Sequence, residues 1–126
     1  VSNRDFSFTA LKATRQCVIN IPGAELAQQV VACGNRSGRR ADKFKAVGLT
    51  PVPASLVDAP LVEECFASLE CRVSDTRLVN RYSFFVLEVI KAWIDPAIKV
   101  PRTLHHRGRG VFMVAGRTLK LPSKMK

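Results

Sequence analysis

Acidic residues are scarce in this chain of 126 residues, where ten Asp and Glu face twenty Lys and Arg for a net charge of +10. An excess of this size favours an anionic partner. The imbalance is strongest from 96 to 126, which holds eight cations and no acid. Aromatic residues are also few, at 7%, and they are not interleaved with the cations. Because no known nucleic-acid motif is present, the sequence argues against nucleic acid as the partner.

Long apolar runs are missing as well. No run approaches the roughly 20 residues of a membrane span, and no signal-peptide pattern opens the chain. A hydrophobic content of 47% and a charged content of 24% are ordinary for a globular protein. The length allows one core, so we predict a single domain over 1–126 that does not enter a membrane.

The cysteine spacings of a metal site are absent. The four cysteines (17, 33, 65 and 71) form no C-x-x-C pair and no zinc-like pattern. We expect Cys65 and Cys71 on one strand, with Cα atoms about 20 Å apart, too far for a disulfide. We therefore predict free thiols in a reducing cytoplasm. His105 and His106 would point to opposite sides of a strand, so a solvated loop is a better interpretation than a metal site.

The most distinctive stretch runs from Cys33 to Gly48 and reads C-G-N-R-S-G-R-R-A-D-K-F-K-A-V-G. Its first two glycines, Gly34 and Gly38, would let the backbone turn tightly, so that amide groups and the Ser37 hydroxyl converge on an anion such as phosphate. The alternative is a helix end followed by a turn and a solvated basic helix. The stretch is neither a Walker loop nor G-x-G-x-x-G.

Cys33 also has two interpretations. Its thiolate could be stabilised by Arg36 or Arg39, or it could be an ordinary buried cysteine. The residues alone decide neither whether the basic stretch binds an anion nor whether the Cys33 thiol is reactive.

Short helices and one strand are predicted in the first half of the chain. They are a helix capped by Asp5 or Ser7 and ending near Thr14, a strand over 17–21, a helix over 24–32, one or two helical turns over 41–47, and a proline-rich loop over 50–60.

The second half reads as strands. An alternating pattern over 61–73 predicts a strand buried on one face, with Cys65 and Cys71 on that face. The run 82–94 is apolar on nearly both faces, so we predict a long central strand in which Glu88 would need a partner if buried. A polar turn over 74–81 would join the two as an antiparallel hairpin. A basic loop over 104–110, a strand over 111–115 and a short strand or tail over 117–121 follow.

These elements predict a mostly β, antiparallel chain with flanking helices. About five strands with this much apolar surface would leave unpaired edges, which native proteins cover or close. A closed barrel needs further strands, and the chain begins as if within a strand at Val1. We therefore expect an incomplete β-barrel, the larger C-terminal portion of a barrel domain.

Seven segments in register resemble one family. They are V-S-N-R-D-F-S-F-x-A-L-K, V-I-N-I-P-x-x-E-L-A, C-G-N-R-S-G-R-x-x-D-K-F, V-G-L-T, A-P-L-V-E-E-C-F-A-x-L-E-C-R-V, Y-S-F-F-V-L-E-V and G-R-G-V-F-M-V-A-G. The chain is similar to the flavin reductase-like, FMN-binding split-barrel proteins, which include flavoredoxin. The resemblance implies a six-stranded antiparallel barrel, a homodimer, FMN near the subunit interface, and electron transfer or NAD(P)H-dependent flavin reduction.

The resemblance also implies site residues. Lys43 matches a lysine near the FMN phosphate, with Ser37 and Arg39 beside it. Tyr82 and Phe112 match positions that approach the flavin, although flavoredoxin-like members can have histidine at the former. The remaining two, Ser2 and Asn3, match a strand end and turn that face the cofactor.

Complete members of that family carry an N-terminal segment of about 50 residues, a length that also fits the strands a closed barrel would need. This segment supplies an asparagine and a tryptophan-containing strand to the isoalloxazine ring, so we expect half of the flavin site to lie outside this chain. Two further hypotheses stay open: a basic, non-enzymatic binding module for nucleic acid or another anion that has lost flavin, and a dimerising scaffold without ligand.

Overall fold

The computed structural model describes residues 1–38, 42–118 and 120–122. Four helices lie at α1 Phe6–Thr14, α2 Ala27–Gly34, α3 Lys43–Val47 and α4 Val79–Tyr82, and a 3₁₀ turn over Ala24–Leu26 leads into α2. Seven strands lie at β1 Gln16–Ile21, β2 Pro51–Val52, β3 Leu61–Val62, β4 Ala67–Asp75, β5 Val86–Ile94, β6 Leu104–His106 and β7 Phe112–Val114.

The predicted helices of the first half are confirmed, and their ends follow local rules. Helix α1 begins after Asp5 at its N-cap and stops where Arg15 adopts a left-handed conformation with φ 57°. Helix α3 is capped by the Asp42 carboxylate, which accepts from the amides of Phe44 and Lys45 at 3.0 and 3.4 Å. It ends at Gly48, whose φ of 71° suits a residue without a Cβ.

The strands form one three-stranded antiparallel sheet in the order β1-β4-β5 and two small two-stranded sheets, β2-β3 and β6-β7. Within the described ranges these sheets do not close into a barrel. The mostly β, antiparallel class with a few helices, and its incomplete barrel, are thereby confirmed.

The central strand is not the one that the sequence indicates. Strand β4 lies between β1 and β5, whereas the apolar run 82–94 supplies an edge strand that starts only at Val86. The first residue of that run, Tyr82, is instead the last of α4, a helix that buries Val79 to 2% exposure and is followed by Ser83 with φ 54°. Tyr82 therefore closes a helical turn and does not open a strand.

The predicted strand over 61–73 is also divided. A turn, in which the Cys65 amide donates to the Val62 carbonyl at 3.1 Å, separates β3 from β4. Cys65 thus lies before β4 and does not share a strand with Cys71. The prediction that one strand holds both cysteines was therefore wrong. All four cysteines are free thiols.

Strand β4 is buried on both faces as far as Cys71, which corrects the prediction of one buried face there. From Arg72 onward the predicted alternation holds, with Arg72 and Ser74 exposed and Val73 buried. Cys71 and Glu70 are both 0% exposed, although they are consecutive and point to opposite faces. The Glu70 carboxylate accepts from the Trp93 Nε1 at 2.7 Å and from the amides of Ser55 and Leu56 at 3.1 and 2.6 Å. These bonds satisfy the buried charge and tie the loop after β2 to the sheet.

The same bonds control the titration of Glu70. Burial by itself would raise its pKa, but the hydrogen bonds from Trp93, Ser55 and Leu56 outweigh burial and lower the pKa to about 2. The carboxylate is therefore charged in the folded protein at every ordinary pH.

Strand β5 leaves much of its apolar surface uncovered in the described structure. Val89 is 51% exposed and Ile94 is 64% exposed, and Glu88 is also exposed, so it needs no buried partner. The strand carries apolar residues on both faces, as predicted, but the described residues cover neither face completely.

The C-terminal region forms a hairpin in which β6 pairs with β7. The basic stretch 104–110 is therefore a strand followed by a turn, not a loop throughout. The ring of His106 lies 4.9 Å from that of Phe112, its partner in register. No strand includes the described residues of 117–121, and position 119 lies outside the described part.

None of the helices in the described ranges has the length and apolar composition that a membrane crossing requires.

Candidate functional site

A cavity of about 530 Å³ lies between the start of α1, the turn that follows α2 and the first residue of α3. Its walls combine three cations with small and polar groups. The lining residues are Arg4, Asp5, Phe6, Ser7, Cys33, Gly34, Asn35, Arg36, Ser37, Gly38 and Lys43. The tertiary fold thus brings the basic stretch next to the N-terminal end of α1, which carries the partial positive charge of the helix dipole.

Lys43 is held in place by its own hydrogen bond. The Nζ donates to the Cys33 carbonyl at 2.8 Å, which joins the start of α3 to the last turn of α2. An ammonium has three N–H donors, so two remain for a ligand in the cavity.

The start of α3 contributes less than the basic stretch suggests. Asp42 already accepts from the amides of Phe44 and Lys45, so the first turn of α3 is capped by the protein itself. What α3 brings to the cavity is the Lys43 side chain.

Arg36 and Arg4 supply the other two cations. Arg36 Nη1 donates to the Ala46 carbonyl at 2.9 Å, which ties the turn after α2 to α3. The Arg4 guanidinium has no side-chain partner among the described residues, and its amide donates to the Ser2 Oγ at 3.2 Å. Asp5 is the one acid in the lining and makes no side-chain capping bond to α1.

Arg4 was missed from the sequence, although a signal for it exists. A cation just before a helix N-terminus is unfavourable to the helix dipole, and such a residue is more easily explained when an anion binds there. The motif V-S-N-R-D-F places Arg4 in this position.

The two glycines of the basic stretch act differently from the prediction. Neither Gly34 nor Gly38 has a positive φ, so no left-handed turn requires them. A Cβ on Gly38 would lie 3.5 Å from the Phe6 ring and 3.8 Å from the Lys43 Cε, which is ordinary contact. Gly38 therefore lies beside Phe6 and Lys43 at the cavity wall.

Phe112 borders a second, apolar cavity of about 420 Å³ formed against α2. Asn35, the residue after α2, lines both this cavity and the cationic one. Phe112 on one side and Ser37 with Lys43 on the other therefore line neighbouring cavities.

The other predicted site residues lie outside both cavities. Ser2 and Asn3 are exposed and form the turn that enters α1, where the Ser2 carbonyl accepts from the Asp5 amide at 3.0 Å. Tyr82 is 60% exposed at the end of α4, with the Arg81 guanidinium 5.2 Å from its ring centre.

These residues nevertheless share one neighbourhood, because the amino group of Val1 donates to the Ser83 carbonyl at 3.3 Å. Arg39 lies outside the described residues.

The histidines and cysteines gather no metal site. Among the residues that the structure describes, no group of three His, Cys, Asp or Glu side chains is arranged to hold an ion. Cys33, which the sequence offers as a possible reactive thiol, lines the cationic cavity, and its carbonyl accepts from Lys43.

Comparison with known proteins yields a family match and a set of similar folds. The family described as flavin reductase like domain matches residues 1–112. The YddH protein of Escherichia coli K12 is 35% identical over 111 aligned positions, which cover 79% of this chain and 59% of YddH. The chain therefore spans about six tenths of the length of that relative.

Two solved structures have similar folds. An FMN-binding domain of a flavin reductase-like enzyme from Shewanella baltica has a TM-score of 0.85 at 24% identity, covering 97% of this chain and 71% of that one. Flavoredoxin from Desulfovibrio vulgaris has a TM-score of 0.80 at 21% identity, covering 96% and 70% respectively.

Proposed function

This chain belongs to the flavin reductase-like domain family, and from that premise we propose that it is an FMN-binding flavoprotein. In this proposal it transfers electrons or hydride from NAD(P)H, or from a redox protein, to flavin or to another acceptor. The observation that carries the proposal is the cationic cavity, in which Lys43, Arg36 and Arg4 surround a space of about 530 Å³.

The chemistry of the cavity fits the phosphate end of FMN. A phosphate monoester carries between one and two negative charges near neutral pH, and three cations with a serine hydroxyl are suited to balance and orient it. The volume also lies within the range of small-molecule sites. We assign Lys43, Arg4, Arg36 and Ser37 to the phosphate, and Arg39, which lies outside the described residues, remains a proposed phosphate contact from the family resemblance.

The ring end of the flavin is assigned to the apolar cavity beside Phe112. That cavity shares the lining residue Asn35 with the cationic cavity, and an apolar wall suits an aromatic ring system. We place the isoalloxazine toward this side. Tyr82, Ser2 and Asn3 remain proposed flavin contacts, and the described cavities do not include them.

When bound, FMN supplies the hydride and electron chemistry. The residues of the chain then bind the phosphate charge, orient the ring and limit access of water. No catalytic acid or base is required of the chain.

We further propose a homodimer in the cytoplasm. The exposed apolar side chains of β5 favour association, because a contiguous apolar strand edge is normally covered. Self-association is measurable by sedimentation.

Binding of FMN and of riboflavin, followed by quenching of flavin fluorescence, tests the proposal. Riboflavin lacks the phosphate, so we expect the wild-type chain to bind FMN more tightly. Lys43→Ala should weaken FMN roughly tenfold or more and leave riboflavin almost unchanged, since it removes a charged donor to the phosphate.

Lys45→Ala is the matched control, because Lys45 lies on the same short helix and does not line the cavity. If both substitutions weaken FMN equally, the effect is general charge and the assigned cavity is wrong. If neither the wild-type chain nor a version extended by the N-terminal segment expected of complete family members binds either flavin, the proposed function fails.

A further inference from the structure

Two cysteines that are 54 positions apart in the sequence face each other across the main sheet. Cys17 of β1 and Cys71 of β4 are direct partners in the antiparallel register. Cys71 is 0% exposed, and Cys17 is partly exposed. Their side chains emerge on the same face of the sheet, because directly opposed residues do so.

The backbone spacing suits a covalent link. Two positions further along, the Val73 amide donates to the carbonyl of Arg15, its counterpart in the register. Residues two apart belong to the same class of pair, so Cys17 and Cys71 form a hydrogen-bonded pair, for which the Cα separation is about 5.5 Å. Disulfides span Cα separations of roughly 4.4–6.8 Å, so the Cα atoms are within range, and closing the bond requires the two Cβ atoms to approach from about 5.5 Å to about 4.5 Å.

The two thiols also affect each other's pKa. Burial raises the pKa of the Cys17 thiol, and its interaction with Cys71 raises it further. Burial raises the pKa of Cys71 too, and the contact with Cys17 partly opposes that change.

We propose that Cys17 and Cys71 are a dithiol that forms a reversible intramolecular disulfide by exchange with a low-molecular-weight disulfide. This modification site is separate from the cationic cavity and does not depend on the flavin proposal. The exchange converts the low-molecular-weight disulfide into two molecules of its free thiol.

Access determines the order of the two steps. Cys17 lines a groove of about 570 Å³ between α1, β1 and the loop 58–60, whereas Cys71 is closed to solvent. The Cys17 thiolate therefore attacks one sulfur of the external disulfide. The external S–S bond breaks, a mixed disulfide forms at Cys17, and the first small thiolate leaves and takes up a proton.

Cys71 completes the exchange. Its thiol loses a proton, its sulfur attacks the Cys17 sulfur of the mixed disulfide, and the second small thiolate leaves and is protonated. Together the two cysteines lose two electrons and two protons, and the external disulfide gains both. Because both thiols have raised pKa values, the exchange should be slow near neutral pH.

The other two cysteines are poorer candidates for this chemistry. Burial raises the pKa of Cys65 to about 11, and the nearby carboxylates of Glu64 and Glu25 add to this effect. Cys33 lies on α2 and not in a strand pair.

The test is disulfide mapping of the purified chain after incubation with oxidised glutathione. Free thiols are alkylated, the protein is denatured without reductant, and a protease that cleaves after glutamate is added. Glu25, Glu64 and Glu70 separate the four cysteines into four different peptides, whereas trypsin would leave Cys17 with Cys33 and Cys65 with Cys71.

We expect a loss of two hydrogens from the intact mass and one cross-link, between the peptides 1–25 and 71–88. Dithiothreitol should reverse both. A double variant, Cys33→Ser with Cys65→Ser, should keep the cross-link, and Cys71→Ala should stop at glutathione attached to Cys17.

Three results would overturn the proposal: a cross-link between Cys33 and Cys65, glutathione that stays attached to Cys17 in the wild type, or no oxidation. The wild-type map decides by itself, so the proposal stays testable even if Cys71→Ala does not fold.

Discussion

Strands β4 and β5 are neighbours with opposite sequence character and opposite surroundings. β4 alternates apolar and polar residues, yet it is the buried centre of the sheet, with Glu70 and Cys71 both 0% exposed. β5 is apolar on nearly both faces, yet it lies at the edge with Val89 51% exposed. Burial here follows from strand order and from the partners that polar groups find, and not from hydrophobicity alone.

The difference depends on Glu70. A buried carboxylate is costly unless donors surround it, and Trp93, Ser55 and Leu56 provide them. Two of these donors belong to the loop that covers the sheet, so β4 can be buried because that loop is bonded to it. The same loop also reaches β5, where the Lys91 Nζ donates to the Ser55 Oγ at 2.6 Å, but it leaves Val89 and Ile94 exposed.

The largest expected effect comes from Glu70→Gln. An amide can accept some of these hydrogen bonds, but it also places an NH₂ group against donors, which leaves buried groups unsatisfied. We expect the midpoint of thermal unfolding to fall by more than about 10 °C. Glu88→Gln on β5 is the control, because Glu88 is exposed and in register with Arg72.

Equal effects of Glu70→Gln and Glu88→Gln on thermal unfolding would show that the buried network does not distinguish the two strands. The measurement is circular dichroism during heating of both variants and the wild type.

Acid should unfold the protein through the same group. The pKa of Glu70 falls from its ordinary value of 4.5 to about 2 on folding, so the unfolded chain binds its proton first as pH falls. The contribution of Glu70 is complete above about pH 5 and is lost progressively toward pH 2. Unfolding by urea at a series of pH values should show this loss in the wild type.

Glu70→Gln should flatten that part of the profile. Asp75 is the comparison on the same strand, since hydrogen bonds from Arg77 lower its pKa to about 2 near the surface. If Asp75→Asn removes more of the acid sensitivity than Glu70→Gln, the buried network is not its main source.

The smallest effects are expected from replacing one valine by threonine on β4 and, separately, one on β5. Val73 of β4 is 7% exposed and Val89 of β5 is 51% exposed. Val73→Thr buries a hydroxyl and should lower the free energy of unfolding by about 1–2 kcal/mol, whereas Val89→Thr should change it by less than about 0.5 kcal/mol. Urea unfolding at concentrations where the protein is monomeric measures both.

Val89→Thr should also weaken self-association if β5 contributes to the proposed homodimer, and sedimentation measures that. Equal losses of stability in the monomer would mean that another segment covers β5 in solution, which would contradict the contrast between the strands.

Much of the local structure could be predicted. The helix predicted to start at Asp5 or Ser7 and end near Thr14 matches α1, and the helical turns predicted over 41–47 match α3. The basic stretch over 33–48 also offered an anion site, and the structure places a cationic cavity there, around Ser37 and Lys43.

The rest required contacts between distant parts of the chain. Arg4 lines the cationic cavity because α1 packs beside the turn after α2. Phe112, on the C-terminal hairpin, lines the apolar cavity against α2. The turn over 63–66 was not predicted either, although Phe66 departs from the alternating pattern at that point.

The sequence by itself determined the C-terminal ends of α1 and α3, the antiparallel mostly β class, the basic character and the family. These depend on residue type and near neighbours, through capping, periodicity and charge. Only the tertiary structure decided which strand is central, which carboxylate is buried and which cysteines face each other. Strand order and register join residues such as Cys17 and Cys71 that are far apart in the chain, and no local pattern records that pairing.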